Sequence, residues 1–123
     1  MLSHADQLEF VAEELPPFHF YDADKKPTGA LVEVIEALMI RTKISGNVKL
    51  IPFARSYDLT LKKPNTFMFS LMKSAERKDH FQWIGQIYKS TAFLVGLRER
   101  SDINISSLEE AKSFVVGTTR KNI

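Results

Sequence analysis

The sequence predicts an α/β fold, a largely parallel sheet flanked by helices. Three observations carry that expectation. Segments of strand and helix character alternate as strand, helix, strand, helix, strand over residues 8–71, the order that builds parallel sheets. Leu31, Val34, Ile35, Leu38 and Met39 recur at i, i+3, i+4, i+7 and i+8, the spacing of a helix that lays one face on a sheet. Thr66-Phe67-Met68-Phe69-Ser70-Leu71 is aromatic-rich and uncharged, as suits a buried strand. With 123 residues, 44% of them hydrophobic and 26% charged, the chain can bury a real core and has the composition of a globular protein rather than a disordered one.

The elements follow in order. Leu8-Glu9-Phe10-Val11-Ala12 alternates and reads as the first strand. Pro16-Pro17 ends it, because proline cannot continue a ladder. Asp22-Ala23-Asp24-Lys25-Lys26-Pro27 reads as a hairpin-like connection. Its Asp-x-Asp pair lacks the glycine and glutamate of a calcium loop, so a solvated turn is expected there. Thr28 or Gly29 starts the first helix, and Ser45-Gly46-Asn47 stops it. Residues 48–51 form a second strand, and Pro52-Phe53-Ala54-Arg55 leads into a shorter helix through Leu61, broken by Pro64-Asn65. After the third strand, residues 74–79 suggest one helical turn with Ser74 as N-cap. Phe81-Gln82-Trp83-Ile84 is apolar and aromatic, residues 92–97 and 113–117 read as further strands, and Ser107-Leu108-Glu109-Glu110 is a capping box opening a short helix.

Composition excludes several classes of function. Lys and Arg number 17 against 15 Asp and Glu, a formal charge of only +2. They are scattered, so no basic stripe for nucleic acid is present. Absence of cysteine removes zinc–cysteine sites, thiol catalysis and disulfides. No apolar run approaches the ~20 residues of a membrane span. His4, His19 and His80 show no metal-ligand spacing, and neither a phosphate loop nor a nucleophile elbow appears. The expectation is therefore no cofactor, no metal and no catalytic residue. Ser3-His4-Ala5 has small residues at its first and third positions, as a signal-peptidase site does.

Five stretches together carry a resemblance. They are Glu14-Leu15-Pro16-Pro17-Phe18, Asp24-Lys25-Lys26-Pro27-Thr28-Gly29, the segment from Ser70 to Arg77, the segment from Phe81 to Tyr88, and Ser107-Leu108-Glu109-Glu110-Ala111-Lys112 followed by Val115-Val116-Gly117. In order and spacing they resemble the bacterial periplasmic solute-binding proteins of family 3, the polar amino-acid class. The resemblance implies a type II periplasmic-binding-protein-like clamp of two α/β lobes, with ligand held between them at the strand ends. It implies that residues 1–97 are most of lobe one with a crossover strand, that residues 98–123 begin lobe two, and that the clamp is incomplete.

The same resemblance nominates site residues. Arg77, in the position of the arginine of a T-x-E-R motif, would pair bidentately with a ligand carboxylate, a task for a planar guanidinium that lysine cannot copy. Ser70 would meet the ligand through hydroxyl and main chain. Met72 departs from the usual Ser or Thr and is only a weak acceptor, which favours carboxylate recognition over recognition of a whole α-amino acid. Phe53 and Phe18 would be aromatic walls, Arg55 a second anion contact, and Glu14 a contact for an amine. Thr118, Thr119 and Asn122 would close on the ligand from lobe two, where Lys121 replaces a customary glycine.

The implied function is non-enzymatic: an exported, periplasmic receptor that captures a small polar, carboxylate-bearing solute such as an amino acid and delivers it to the membrane subunits of an ABC transporter. A ligand-sensing domain of a membrane receptor uses the same fold. A periplasmic enzyme resembling cyclohexadienyl dehydratase is the alternative of a different class, with Glu14 the only evident acid. Unpaired strand edges, or an exchanged arm of residues 90–123, would make a second copy of the chain a further partner.

Overall fold

The computed structural model describes residues 7–118, and the chain divides into two compact units, Met1–Lys89 and Ser90–Ile123. The first contains a sheet whose middle strand is Leu8–Ala12 (β1). A hairpin of Phe20–Tyr21 (β2) and Pro27–Thr28 (β3) follows, then a helix, Ala30–Thr42 (α1). The strand Gly46–Leu50 (β4) returns parallel to β1 on one side. After the helix Phe53–Lys62 (α2), the strand Thr66–Met68 (β5) pairs parallel to β1 on the other side. The order β4-β1-β5 makes this a parallel α/β sheet flanked by helices, as the alternation of elements predicts.

The core forms where strand alternation and helix periodicity meet. Phe10 and Ala12 share one face of β1 and are buried with Leu31, Val32 and Ile35 of α1, with Leu50 and with Phe69. Phe10 stacks on Phe67 of the neighbouring strand at 5.6 Å between centroids. Val11 projects the opposite way and is fully buried, while α2 packs against β1 and β5. Each such side chain contributes about 1.5–3 kcal/mol by leaving water.

The expected helix face is only half right. Leu31, Ile35 and the partly buried Met39 lie on the core, but Val32 joins them, while Val34 and Leu38 stay 42% and 46% exposed. The apolar arc of α1 is wider than a three-stranded sheet covers. Gly29 caps α1 at φ 115°, and a Cβ there would stand 2.5 Å from the Phe18 carbonyl oxygen. That carbonyl accepts the Leu31 N–H at 2.9 Å. The helix stops at Lys43, left-handed at φ 57°. Gly46 and Asn47, expected as its stop, instead open β4, where the Phe10 ring would come within 2.8 Å of any Cβ at Gly46.

Polar ties complete the unit. The Tyr21 hydroxyl donates to the Leu50 carbonyl at 3.2 Å and accepts the Leu50 N–H at 3.1 Å, joining the hairpin to the end of β4. Asp22 accepts the N–H groups of Asp24 and Lys26 at 2.9 and 2.8 Å, so this carboxylate organises a turn. Glu9 pairs with Lys49 at 2.6 Å and with Lys63 at 2.9 Å, and these two ammonium groups hold its carboxyl below the usual carboxylate value.

Four expectations are corrected. The third strand ends at Met68 rather than Leu71, because Ser70 is left-handed at φ 62° and leaves the pleat. Residues 75–80 form consecutive turns in which the Ser74 carbonyl accepts from Arg77 and Lys78, closing one helical turn as expected, but the Ser74 side chain makes no capping hydrogen bond among the described residues. Residues 92–97 and 113–117 are not strands. They lie in the second unit, whose one helix among the described residues is Leu108–Ala111 (α3). The N-terminal half of the capping box is present, with Ser107 accepting the Glu110 N–H at 3.3 Å, while the Glu110 carboxylate reaches one residue further back and accepts the Ser106 N–H at 2.7 Å.

Candidate functional site

Parallel strands release the chain at one common edge, and open α/β sheets bind ligands there, where the connections leave in opposite directions. Here β1 connects through α1 to β4 on one side, while β5 lies on the other. Every first-unit candidate residue follows the carboxyl end of one of these strands. Glu14 and Phe18 follow β1, Phe53 and Arg55 follow β4, and Ser70, Met72 and Arg77 follow β5.

The best-defined cluster among them surrounds Arg77. Its guanidinium carbon lies over the Phe53 ring at 5.3 Å and over the Tyr57 ring at 6.0 Å. Phe53 and Tyr57 are one turn apart on α2, with centroids 5.9 Å apart. Arg77 forms no salt bridge among the described residues, with neither Glu76 nor Asp79 serving as a partner. Its protein hydrogen bond goes from Nη1 to the Met72 carbonyl at 3.5 Å, the outer limit of such a bond. Of the five N–H donors on a guanidinium, the remainder stay available beside an apolar floor. The half-exposed site therefore presents a positive charge backed by aromatic faces, which suits a planar anion.

Aromatic contacts continue outward from this point. The edge-to-face pair Tyr57–Phe81 has centroids 5.0 Å apart, and Phe81–Trp83 follows at 6.0 Å. Trp83 donates from Nε1 to the Lys78 carbonyl at 3.0 Å, and the Lys73 ammonium lies 5.5 Å from its ring centroid. The Tyr57 hydroxyl is 3.1 Å from His80 Nδ1. Tyr57 is not among the residues nominated from sequence, although its one-turn spacing from Phe53 on an expected helix is a signal for it, and His80 enters there only as a histidine without metal-ligand spacing.

Other candidates stand apart from Arg77. Glu14 is exposed, Arg55 is exposed, and no hydrogen bond, ion pair or ring contact joins either of them, or Phe18, to Arg77 among the described residues. Phe18 packs on Tyr88 at 5.0 Å, so its ring is partly engaged in structure. Ser70 is half-buried just beyond β5 and makes its sharp left-handed turn there. Thr118 is exposed in the second unit, while Thr119, Lys121 and Asn122 lie outside the described residues. A shallow apolar hollow in the second unit, lined by Leu94, Leu108, Phe114 and Val116, holds none of the nominated residues.

His19 is fully buried, against the edge of Phe69 at 5.4 Å. Its Nδ1 lies 2.5 Å from the Glu13 carbonyl, and its Nε2 has no partner. Burial pushes its pKa below the usual histidine value, partly opposed by the Glu13 carbonyl. The ring is part of the support under the loop that carries Glu14 and Phe18.

Comparison with protein-family models, with curated proteins and with solved structures gives no match for this chain.

Proposed function

We propose that the first unit is the ligand-binding lobe of a type II periplasmic-binding-protein-like clamp of the family 3 kind. Its role is to capture a small polar solute bearing a carboxylate, such as an amino acid, outside the cytoplasm for the membrane subunits of an ABC transporter. The single observation that carries this reading is Arg77. It is a cation without a carboxylate partner among the described residues, laid over Phe53 and Tyr57 beyond the carboxyl end of β5. The parallel order β4-β1-β5 supports it, because the loops that follow β1 and β5 flank the place where such sheets receive ligands. The five sequence stretches that resemble the family include Arg77 and the loop after β1.

Calorimetric titration with polar L-amino acids and small dicarboxylates tests the reading. Removing one partner of a buried charge pair costs about 2–5 kcal/mol, which predicts at least a 30-fold loss for Arg77→Ala. Arg77→Lys is expected to lose nearly as much, because an ammonium cannot reproduce the bidentate fork. Wild-type affinity in Arg77→Lys removes Arg77 from the site and the proposal with it.

A further inference from the structure

The two ring faces under Arg77 do not have equal support. Phe53 is the first residue of α2, with Pro52 as the cap before it. Tyr57 lies one turn further into the helix and is restrained from two more directions. Its hydroxyl meets His80 Nδ1 at 3.1 Å, and the edge-to-face contact with Phe81 is the tightest ring pair in the cluster, at 5.0 Å. His80 and Phe81 follow Arg77 by three and four residues. The His80 N–H also donates to the Arg77 carbonyl at 3.0 Å. The segment that carries the arginine therefore folds back to hold the ring on which the arginine rests.

We propose that Tyr57 is the positioning residue for Arg77. Its ring face holds the guanidinium in place while leaving the N–H rim free for a carboxylate, and His80 and Phe81 hold that ring. This rests on the reading of Arg77 as the anion contact. The physical reason is that a long arginine side chain loses rotamer freedom when it binds. A second cation–π contact removes part of that freedom before ligand arrives, without occupying the donors that a salt bridge would consume. A carboxylate in place of Tyr57 would also fix Arg77, but it would compete with the ligand for the same N–H groups.

The Nε–H resonance of Arg77, followed by NMR on the full chain during titration with sodium acetate at constant ionic strength, tests this. Ring currents displace the resonance upfield in the wild type. Tyr57→Leu is expected to move it downfield and to weaken acetate binding about fivefold, the size of one partly exposed cation–π contact. Tyr57→Phe keeps the ring and is expected to stay within about twofold of wild type. If Tyr57→Leu leaves both the resonance and the acetate affinity unchanged while acetate still perturbs Arg77, the positioning role is overturned and the anion reading stands. If acetate never perturbs Arg77 but the resonance still moves downfield in Tyr57→Leu, the anion reading is overturned and the ring contact stands. Unassigned or unfolded Tyr57→Leu is avoided as an ambiguity by Tyr57→Met, which keeps helix propensity and bulk and carries the same expected downfield shift.

Discussion

Residues 8–12 and residues 92–97 read almost alike as sequence, and they end differently. Both are short, apolar and flanked by polar residues. Leu8–Ala12 pairs on both sides, with β4 and β5, and buries Phe10, Val11 and Ala12. In residues 92–97 no strand forms, Phe93 is 80% exposed and Val95 92% exposed. The difference teaches that strand propensity describes fitness for a pleated, half-buried surface and not an intrinsic backbone state. A strand is made by its neighbours. In the first unit α1 and α2 return the chain to β1 twice, which supplies partners and an apolar cover. In the second unit, α3 is four residues long and only Ala111 is buried among the described hydrophobic residues.

That contrast can be broken by mutation, beginning with the core. Phe10→Ala removes a ring that stacks on Phe67 and fills the space beneath α1, and is expected to cost about 3–5 kcal/mol. Urea unfolding checks it, and a change below about 1 kcal/mol would mean that the core described for the first unit is not its stabilising element. Gly29→Ala comes next. Its φ of 115° and the Phe18 carbonyl 2.5 Å from the new Cβ leave no relaxed conformation, so a loss of about 1–3 kcal/mol is expected in the same assay.

Acid is a gentler probe of the same unit. Burial lowers the His19 pKa in the fold, so the unfolded chain takes up that proton more readily. Stability is therefore full above about pH 6.5, the ordinary histidine value, and falls as pH drops below it. Glu9, with its pKa lowered by Lys49 and Lys63, contributes stability above about pH 4.5 that is lost on further acidification. The two windows have the same sign. Unfolding midpoints measured across about pH 2–7 are expected to fall in both, and His19→Gln is expected to flatten the upper window alone.

The smallest effect is expected where the second unit is most exposed. Val95→Asp and Val115→Asp should change unfolding free energy by less than about 0.5 kcal/mol, as exposed positions do, and should reduce concentration-dependent light scattering by dividing the apolar segments. A loss comparable to that of Phe10→Ala would show that these residues are packed, and would erase the contrast between the two units.

Much of the fold was legible because local chemistry and tertiary context agree there. The first strand, the start of α1, both ends of α2 within a residue, the Pro64–Asn65 break, the turn at Asp22 and the Ser107 cap all rest on short-range causes: alternation, amphipathic spacing, proline, and side chains that bond the nearby backbone. Of the residues nominated from sequence, Arg77 rests on the Phe53 ring and reaches the Met72 main-chain carbonyl, whereas Glu14, Arg55 and Phe18 share the strand edge without joining them. The Tyr57–His80 contact was not legible, because 23 residues separate the two along the chain and no pattern within one element reports such a pair.

Sequence alone determined which segments could be helices or strands, since capping, periodicity and proline act over a few residues. It determined too that chemistry dependent on cysteine has no place here. Tertiary structure decided which apolar segments become strands, because a strand needs a partner supplied from elsewhere in the chain. It decided that Val32 rather than Val34 faces the core, because the width of the sheet selects part of the apolar arc of α1. It also decided the environment of Arg77. Ring faces from α2, not the neighbouring Glu76 or Asp79, receive its guanidinium, because the return of the chain through β5 brings residues 53, 57 and 77 to one edge of the sheet.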